Sequence, residues 1–268
     1  MTKAFLIDLA RCIGCRACQA ACKQWHTLPG EKTTNRGSYE NPPQLSSATW
    51  TRVTFHEVSK QGQLAWVFAK IQCMHCEHPA CVSACSEEAL YQTPEGLVLN
   101  DIQKCIGCRR CHTACPFGAP GFTWEEPTRL SNLMEKCTFC ADRQAVGMEP
   151  ACSKACPTDA LVFGERDDLL QEARYRVDAY PDIYINHIYG EHEVGGTSAL
   201  YLSPVPFEEI GFPTLGSEPI EYQPEADTAW SMSPFSWGLA AVVTGFGWVV
   251  NRRNKFMAAA QVDTEESE

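Results

Sequence analysis

Sixteen cysteines fall into four runs of four, with none left over. They are Cys12, Cys15, Cys18, Cys22; Cys73, Cys76, Cys81, Cys85; Cys105, Cys108, Cys111, Cys115; and Cys137, Cys140, Cys152, Cys156. The first and third runs read C-x2-C-x2-C-x3-C. In that spacing three thiolates hold one [4Fe–4S] cube and the fourth reaches a neighbouring cube. Four quartets therefore supply ligands for four [4Fe–4S] clusters, a chain of one-electron carriers rather than one storage site.

Two other chemistries compete for these residues. Structural zinc wants a closed tetrahedron, usually from two C-x2-C knuckles. Three cysteines within seven residues, as at Cys12, Cys15 and Cys18, suit the corners of a cube better. A disulfide framework belongs to short secreted chains, whereas 268 residues can bury a core without such staples. No nucleophile–base motif, phosphate loop or nucleotide fingerprint is present, so no catalytic residue is expected. The seven histidines are His26, His56, His75, His78, His112, His187 and His192. Of these, His75, His78 and His112 lie inside cysteine runs, where packing or surface roles are favoured over proton transfer.

The elements that must position the ligands form an internal repeat. Runs one and three share Cys-Ile-Gly-Cys-Arg, at Cys12 to Arg16 and Cys105 to Arg109. Runs two and four end alike, Cys85-Ser-Glu-Glu-Ala-Leu and Cys156-Pro-Thr-Asp-Ala-Leu. The order A, B, A, B points to a duplicated two-cluster unit. Gly14 and Gly107 let the backbone pass close to a sulfide face. Pro116 and Pro157 follow last ligands, as in the bacterial signature, while Lys23 and Ser86 follow Cys22 and Cys85.

The swap of fourth ligands leaves two pairings of runs open. Nested pairing, one with four and two with three, gives Cys12, Cys15, Cys18, Cys156 on one cube and Cys22, Cys137, Cys140, Cys152 on its neighbour. It gives Cys73, Cys76, Cys81, Cys115 on a third and Cys85, Cys105, Cys108, Cys111 on the fourth. Sequential pairing joins one with two and three with four. Spacing does not decide between them.

The expected fold is α+β, two ferredoxin-like 2×[4Fe–4S] modules with a C-terminal single transmembrane helix. Residues 1–30 and 120–165 would form the module of quartets one and four. Residues 31–119 would hold a β-hairpin and the module of quartets two and three. The hairpin pairs Thr49 to Val58 with Gln63 to Gln72 and delivers the chain to Cys73. A strand is expected near Gly96 to Asn100. Residues 166–229 read as an extended connecting and partner-contact segment that opens with a helix over Asp167 to Arg176.

A formal net charge of −11 argues against nucleic acid as a partner. Basic residues are scattered among the cysteine runs: Lys23, Lys70, Lys104, Arg109, Arg110, Lys136, Arg143 and Lys154. They could offset anionic clusters or simply be solvated surface. Met1-Thr-Lys-Ala-Phe-Leu-Ile-Asp reads as a strand, not as an export signal.

Thr228 to Asn251 carries no charged side chain. Within it Met232 to Val250 is mostly apolar, nearly long enough as a helix for a bilayer core about 30 Å thick. Trp230, Trp237 and Trp248 lie near its ends, and Arg252, Arg253 and Lys255 follow. The expectation is a transmembrane helix over 230–251 in contact with lipid, and a cytoplasmic tail over 252–268. The cluster modules would then sit on the periplasmic face of a bacterial or archaeal cytoplasmic membrane. Because clusters are assembled in the cytoplasm, the folded domain would cross with a partner bearing a twin-arginine signal.

CIGCRACQAAC, CMHCEHPAC, CIGCRRCHTACPFGAP and KCTFCADRQAVGMEPACSKACPTDAL resemble the four-cluster iron–sulfur subunits of the molybdopterin oxidoreductases. The resemblance covers Ile7 to about Gly164. HEVGGTSALYLSPVPF, from His192 to Phe207, is similar to one branch, the beta subunit of membrane-bound respiratory formate dehydrogenase, with the related hydrogenase subunit nearby. The resemblance implies nested pairing. It also implies a molybdenum or tungsten pterin catalytic subunit and a membrane cytochrome b subunit serving quinone. The equivalent subunit of a membrane hydrogenase, or of a sulfur or oxyanion reductase, is the alternative. A structural zinc-binding protein is the distant one.

Overall fold

In the computed structural model, strand β1 (Lys3–Asp8) is the middle of a three-stranded sheet and leads directly into the first ligand loop. The structure describes residues 2–60, 62–122, 133–222 and, beyond these, helical positions 242, 244–248 and 250–253. Met1–Tyr222 forms one compact unit and Gln223–Glu268 a second.

β1 pairs antiparallel with β6 (Leu161–Glu165) and parallel with β7 (Ala199–Leu202). Successive side chains of a strand point to opposite faces, and in β1 both faces are covered. Phe5 and Ile7 enter the larger core, together with Cys18, Cys73, Cys137 and Cys152. Ala4 and Leu6 face a second cluster supplied by Leu169, Leu170, Ala173 and Val177 of α6 (Arg166–Ala179). The helix begins with Asp167 and Asp168 in its first turn and has Arg176 in its last, which complements the helix dipole. It runs beyond the expected Asp167 to Arg176 by one residue at the start and three at the end.

β2 (Thr51–Lys60) and β3 (Gln63–Gln72) form the expected hairpin, paired from Thr51↔Gln72 to Lys60↔Gln63. Gly62 takes φ 76° at its turn, a left-handed conformation that glycine adopts without a Cβ clash. β4 (Leu90–Gln92) and β5 (Val98–Asn100) form a smaller antiparallel pair beside the second ligand run.

Short helices carry ligands. α1 (Ala17–Trp25) holds Cys18 and Cys22 and packs on α5 (Ala151–Lys154), which holds Cys152. α2 (Ala80–Ser83) holds Cys81 and packs on α3 (Arg110–Ala114), which holds Cys111. Helix α4 (Ala141–Gln144) follows Cys140.

The stretch after Tyr180 does more than connect. Besides β7 it supplies backbone partners to the second ligand run: Glu77 N–H donates to Gly196 O at 2.9 Å and Ser198 N–H to Met74 O at 3.1 Å. Gly190, at φ 94°, lets the chain pass so close that a Cβ there would lie 2.3 Å from Ala199 O.

The expected transmembrane helix requires correction. Among the described residues no helix is long and apolar enough to cross a membrane. Single-pass topology, with the cluster modules outside and the tail inside, falls with it. Most of Met232–Val250 and of the tail over 252–268 lies outside the described residues. The stretch lacks charge without being strongly apolar: Ser233, Pro234, Ser236, Gly238, Thr244, Gly245 and Gly247 interrupt it. Absence of charge alone does not make a span.

Candidate metal centres

The four ligand runs make one recurring turn. The residue just before the second cysteine has positive φ in every run: Gly14 at 68°, His75 at 47°, Gly107 at 72° and Phe139 at 58°. In the two Cys-Ile-Gly-Cys-Arg copies the arginine is also left-handed, Arg16 at φ 60° and Arg109 at φ 65°, and each precedes its short helix. Each arginine lies over an aromatic ring, Arg16 over Phe55 at 4.6 Å and Arg109 over Phe122 at 5.7 Å. The sequence repeat is thus a conformational repeat.

None of the sixteen cysteines forms a disulfide. Cys12, Cys15, Cys18 and Cys156 line one cavity, with Ile7, Val53 and Lys70 in its wall. Cys22, Cys137, Cys140 and Cys152 line a second, with Phe5, His26, Lys70 and Gln72. Cys85, Cys105, Cys108 and Cys111 line a third, capped by Phe122 and Met134. Cys73, Cys76, Cys81 and Cys115 form the remaining neighbourhood, in which Cys73, Cys115 and Cys81 each bear on the thiol of Cys76. Among the described residues, no three His, Cys, Asp or Glu side chains are grouped to hold a single metal ion.

Burial pushes the thiols of Cys18, Cys22 and Cys111 up to about 12, and neighbouring thiolates push the same way. Cys115 and Cys140 rise to about 11, again chiefly by burial. Backbone N–H groups of Phe117, Gly118 and Ala119 converge on the Cys115 sulfur, and that of Ala151 reaches Cys140. Quartets of buried or half-buried sulfur, with only Cys15 and Cys108 exposed and with N–H donors at Cys115 and Cys140, suit a multinuclear cationic core, which must displace the thiol protons as it binds. One polar atom sharpens the fit. Gln72 is 1% exposed, and its Nε2 is buried without a partner in the wall of the Cys22 cavity. A cluster sulfur there would accept the hydrogen bond that it lacks.

Three histidines near the ligands have fixed partners. His75 is fully buried; Val98 N–H donates to its Nδ1 at 3.1 Å, so its Nε2–H donates to Cys137 O at 3.1 Å. Burial holds its pKa well below the usual range, so the ring is neutral. His112 Nδ1 donates to Pro120 O at 2.9 Å. His26, not singled out from its sequence context, lies 3.4 Å from Cys140 Sγ and packs on Trp50 at 4.6 Å. It follows Cys22 by four residues at the end of α1, and the packing of α1 on α5 brings it to the fourth run.

β1 ends on a buried ionic knot. Asp8 Oδ2 accepts from Arg176 Nη1 at 2.9 Å and from Tyr184 OH at 2.7 Å, while Asp8 Oδ1 accepts from Ala10 N–H at 3.0 Å. This fixes the strand end four residues before Cys12. Tyr201 OH donates to Lys70 O at 2.8 Å, which ties β7 to β3 between the cavities.

Fold and sites together define a dicluster, ferredoxin-type electron-transfer protein. Residues 11–89 and 64–166 each match a 4Fe-4S dicluster domain, which accounts for four [4Fe–4S] clusters on these sixteen cysteines. The formate dehydrogenase, nitrate-inducible, iron-sulfur subunit of Escherichia coli K12 is 42% identical over 200 residues, 74% of this chain and 66% of the relative. Formate dehydrogenase 2 subunit beta (cytochrome c-553) of Nitratidesulfovibrio vulgaris is 38% identical over 186 residues, 66% of this chain and 83% of the relative. A further protein of that organism is 39% identical over 262 residues, 96% of this chain and 69% of the relative. The chain thus spans about two thirds of the length of two of these relatives. It belongs to the family of iron–sulfur (beta) subunits that includes those of formate dehydrogenase, electron-transfer chains with no catalytic site of their own.

Proposed function

We propose that the chain serves a formate dehydrogenase complex, carrying electrons between a molybdenum or tungsten pterin subunit and a cytochrome acceptor. The acceptor that the family resemblance implies is a cytochrome b serving quinone. In this reading Cys12, Cys15, Cys18 and Cys156 hold one cluster, and Cys22, Cys137, Cys140 and Cys152 the next. Cys73, Cys76, Cys81 and Cys115 hold the third, and Cys85, Cys105, Cys108 and Cys111 the fourth.

The observation that carries this reading is the sorting of the runs in space. Three of the four nested quartets each line one cavity, and each cavity takes its cysteines from both runs of a nested pair. The packing of α1 on α5 and of α2 on α3 supports the same sets. When bound, the clusters supply one-electron carriers. The protein holds their ligands, excludes water from Cys18, Cys73, Cys137 and Cys152, and leaves Ile13 57% and Ile106 52% exposed beside two outer ligand loops. Those two edges are where a partner's redox centre can come close. The relatives' names support formate as donor and a haem protein as acceptor.

Electron spin resonance on the purified complex tests both parts. Cys22→Ser should alter the same cluster signal as Cys140→Ser. If it instead alters the signal that Cys81→Ser alters, the pairing is sequential and the ligand sets are wrong. Formate should reduce the clusters; reduction by hydrogen but not by formate would move the complex to the hydrogenase branch.

A further inference from the structure

One face of β3 runs along the ligand loops. Phe68, Lys70 and Gln72 alternate onto it. The Phe68 ring lies so close to the first loop that a Cβ on Gly14 would be 2.8 Å from it. Lys70 lines both the cavity of Cys12, Cys15, Cys18 and Cys156 and that of Cys22, Cys137, Cys140 and Cys152. It is 2% exposed. Its Nζ donates to Gln72 Oε1, a neutral acceptor, and stands 5.5 Å from the centroid of the Phe5 ring. Among the described residues it forms no salt bridge with a carboxylate.

A buried ammonium costs several kcal/mol unless an anion faces it. The groups around Lys70 that carry negative charge once clusters are bound are cysteines of both cavities, Cys18 on one side and Cys22, Cys137 and Cys152 on the other. Its backbone carbonyl accepts from Tyr201 OH, and its ammonium is held inside the fold by burial and by Gln72. A four-thiolate cube is anionic and gains a further negative charge on reduction. A fixed cation in a low-dielectric wall favours that extra charge on both sides.

We propose that Lys70, steadied by Gln72, is a positioning residue that raises the reduction potentials of the two clusters flanking it and leaves the other two unaffected. The proposal rests on the ligand sets given above. The other buried lysine makes a useful contrast. Lys136 is 1% exposed, but its Nζ is taken up by backbone carbonyls, Val98 O and, at 3.2 Å, Cys137 O.

The test is a redox titration of the full, cluster-loaded chain, followed by electron spin resonance, with iron and sulfide counted in parallel. Lys70→Met and Lys70→Gln remove the charge; Lys70→Arg keeps it. In the neutral variants, two of the four signals should move to lower potential by at least tenfold in the reduction equilibrium, 59 mV for one electron. These should be the signals perturbed by Cys15→Ser and Cys140→Ser. Lys70→Arg should leave them within half that shift. The proposal is overturned if no signal moves, if all four move alike, or if the arginine variant moves as far as the neutral ones. Loss of iron from both neutral variants also overturns it, in favour of a role in holding the clusters. A wrong ligand assignment shows itself separately, as a wild-type chain with other than four clusters or as the Cys22→Ser outcome described above.

Discussion

The loops of runs one and three and those of runs two and four make the same left-handed turn by different means. In the first pair the turn residue is Gly14 or Gly107, and the residue before it, Ile13 or Ile106, is exposed. In the second pair it is His75 or Phe139, 0% and 1% exposed, with their rings in contact at 4.5 Å. A left-handed non-glycine residue costs about 1–2 kcal/mol. Fully burying a phenylalanine side chain contributes about 1.5–3 kcal/mol, so at Phe139 the packing outweighs the strain. At His75 two hydrogen bonds, to Val98 N and Cys137 O, add to the burial. Where the loop faces outward no such compensation exists, and glycine is the residue that makes the turn at little cost. The glycine loops thus lie at exposed edges, and the aromatic loops lie at the centre.

The strongest challenge to this division is removal of iron. Cys18, Cys73, Cys137 and Cys152 are part of the main core, so chelation should abolish the cooperative melting of residues 2–222 in calorimetry. Hydrogen exchange should rise most over Cys73–Cys81 and Cys137–Cys152, and less over Cys12–Cys15. An apo chain that still melts cooperatively within a few degrees of the loaded one would show that packing, not iron, holds the centre.

Next in size is Phe139→Ala. The Phe139 ring touches Phe5 at 4.6 Å, His75 at 4.5 Å and Phe163 at 6.1 Å, so truncation should cost about 3–5 kcal/mol in denaturant unfolding. Ile13→Ala, at an exposed site, should stay within about 0.5 kcal/mol. Equal losses in the two variants would erase the distinction between centre and edge.

A smaller loss than at Phe139 is expected at the glycines themselves. Gly14→Ala puts a Cβ at φ 68° and against the Phe68 ring. A loss of about 1–2 kcal/mol is expected, and Phe68→Leu should recover part of it by making room. Gly107→Ala shares the φ, at 72°, and reports the backbone cost there. A Gly14→Ala variant as stable as wild type would mean that these loops tolerate side chains and that their glycines serve cluster approach alone.

Much of this was legible along the chain because it is local. Ligand runs, the Cys-Ile-Gly-Cys-Arg repeat and the hairpin end at Gln72 depend on residues a few positions apart. The matching conformations of Gly14 and Gly107 follow from identical pentapeptides. Strand β7 was not legible. Ala199–Leu202 is buried on both faces, so it has no alternation, and Pro, Gly and aromatic residues surround it. It forms because a parallel partner, β1, lies nearly two hundred residues upstream. The turns at His75 and Phe139 were hidden because neither residue type signals positive φ. The stretch near the C-terminus is the opposite case: its mostly apolar composition, flanking tryptophans and following basic residues point to a membrane span, and no helix among the described residues is long and apolar enough for one.

The chemistry can be read along the chain: sixteen thiols at iron–sulfur spacing, a duplicated two-cluster unit and a family. These are properties of residue type and of separations of two or three positions, which the backbone cannot alter much. Spacing left the pairing of runs open; the folded chain shows which runs line each cavity and which basic side chain stands between two of them. Among the lysines and arginines near the ligands, sequence offers no reason to single out Lys70. Its place follows from a ten-pair hairpin that carries it inward and from Tyr201, 131 residues away, which holds it there. Charge acts through distance and dielectric, and both are set only when the chain has folded.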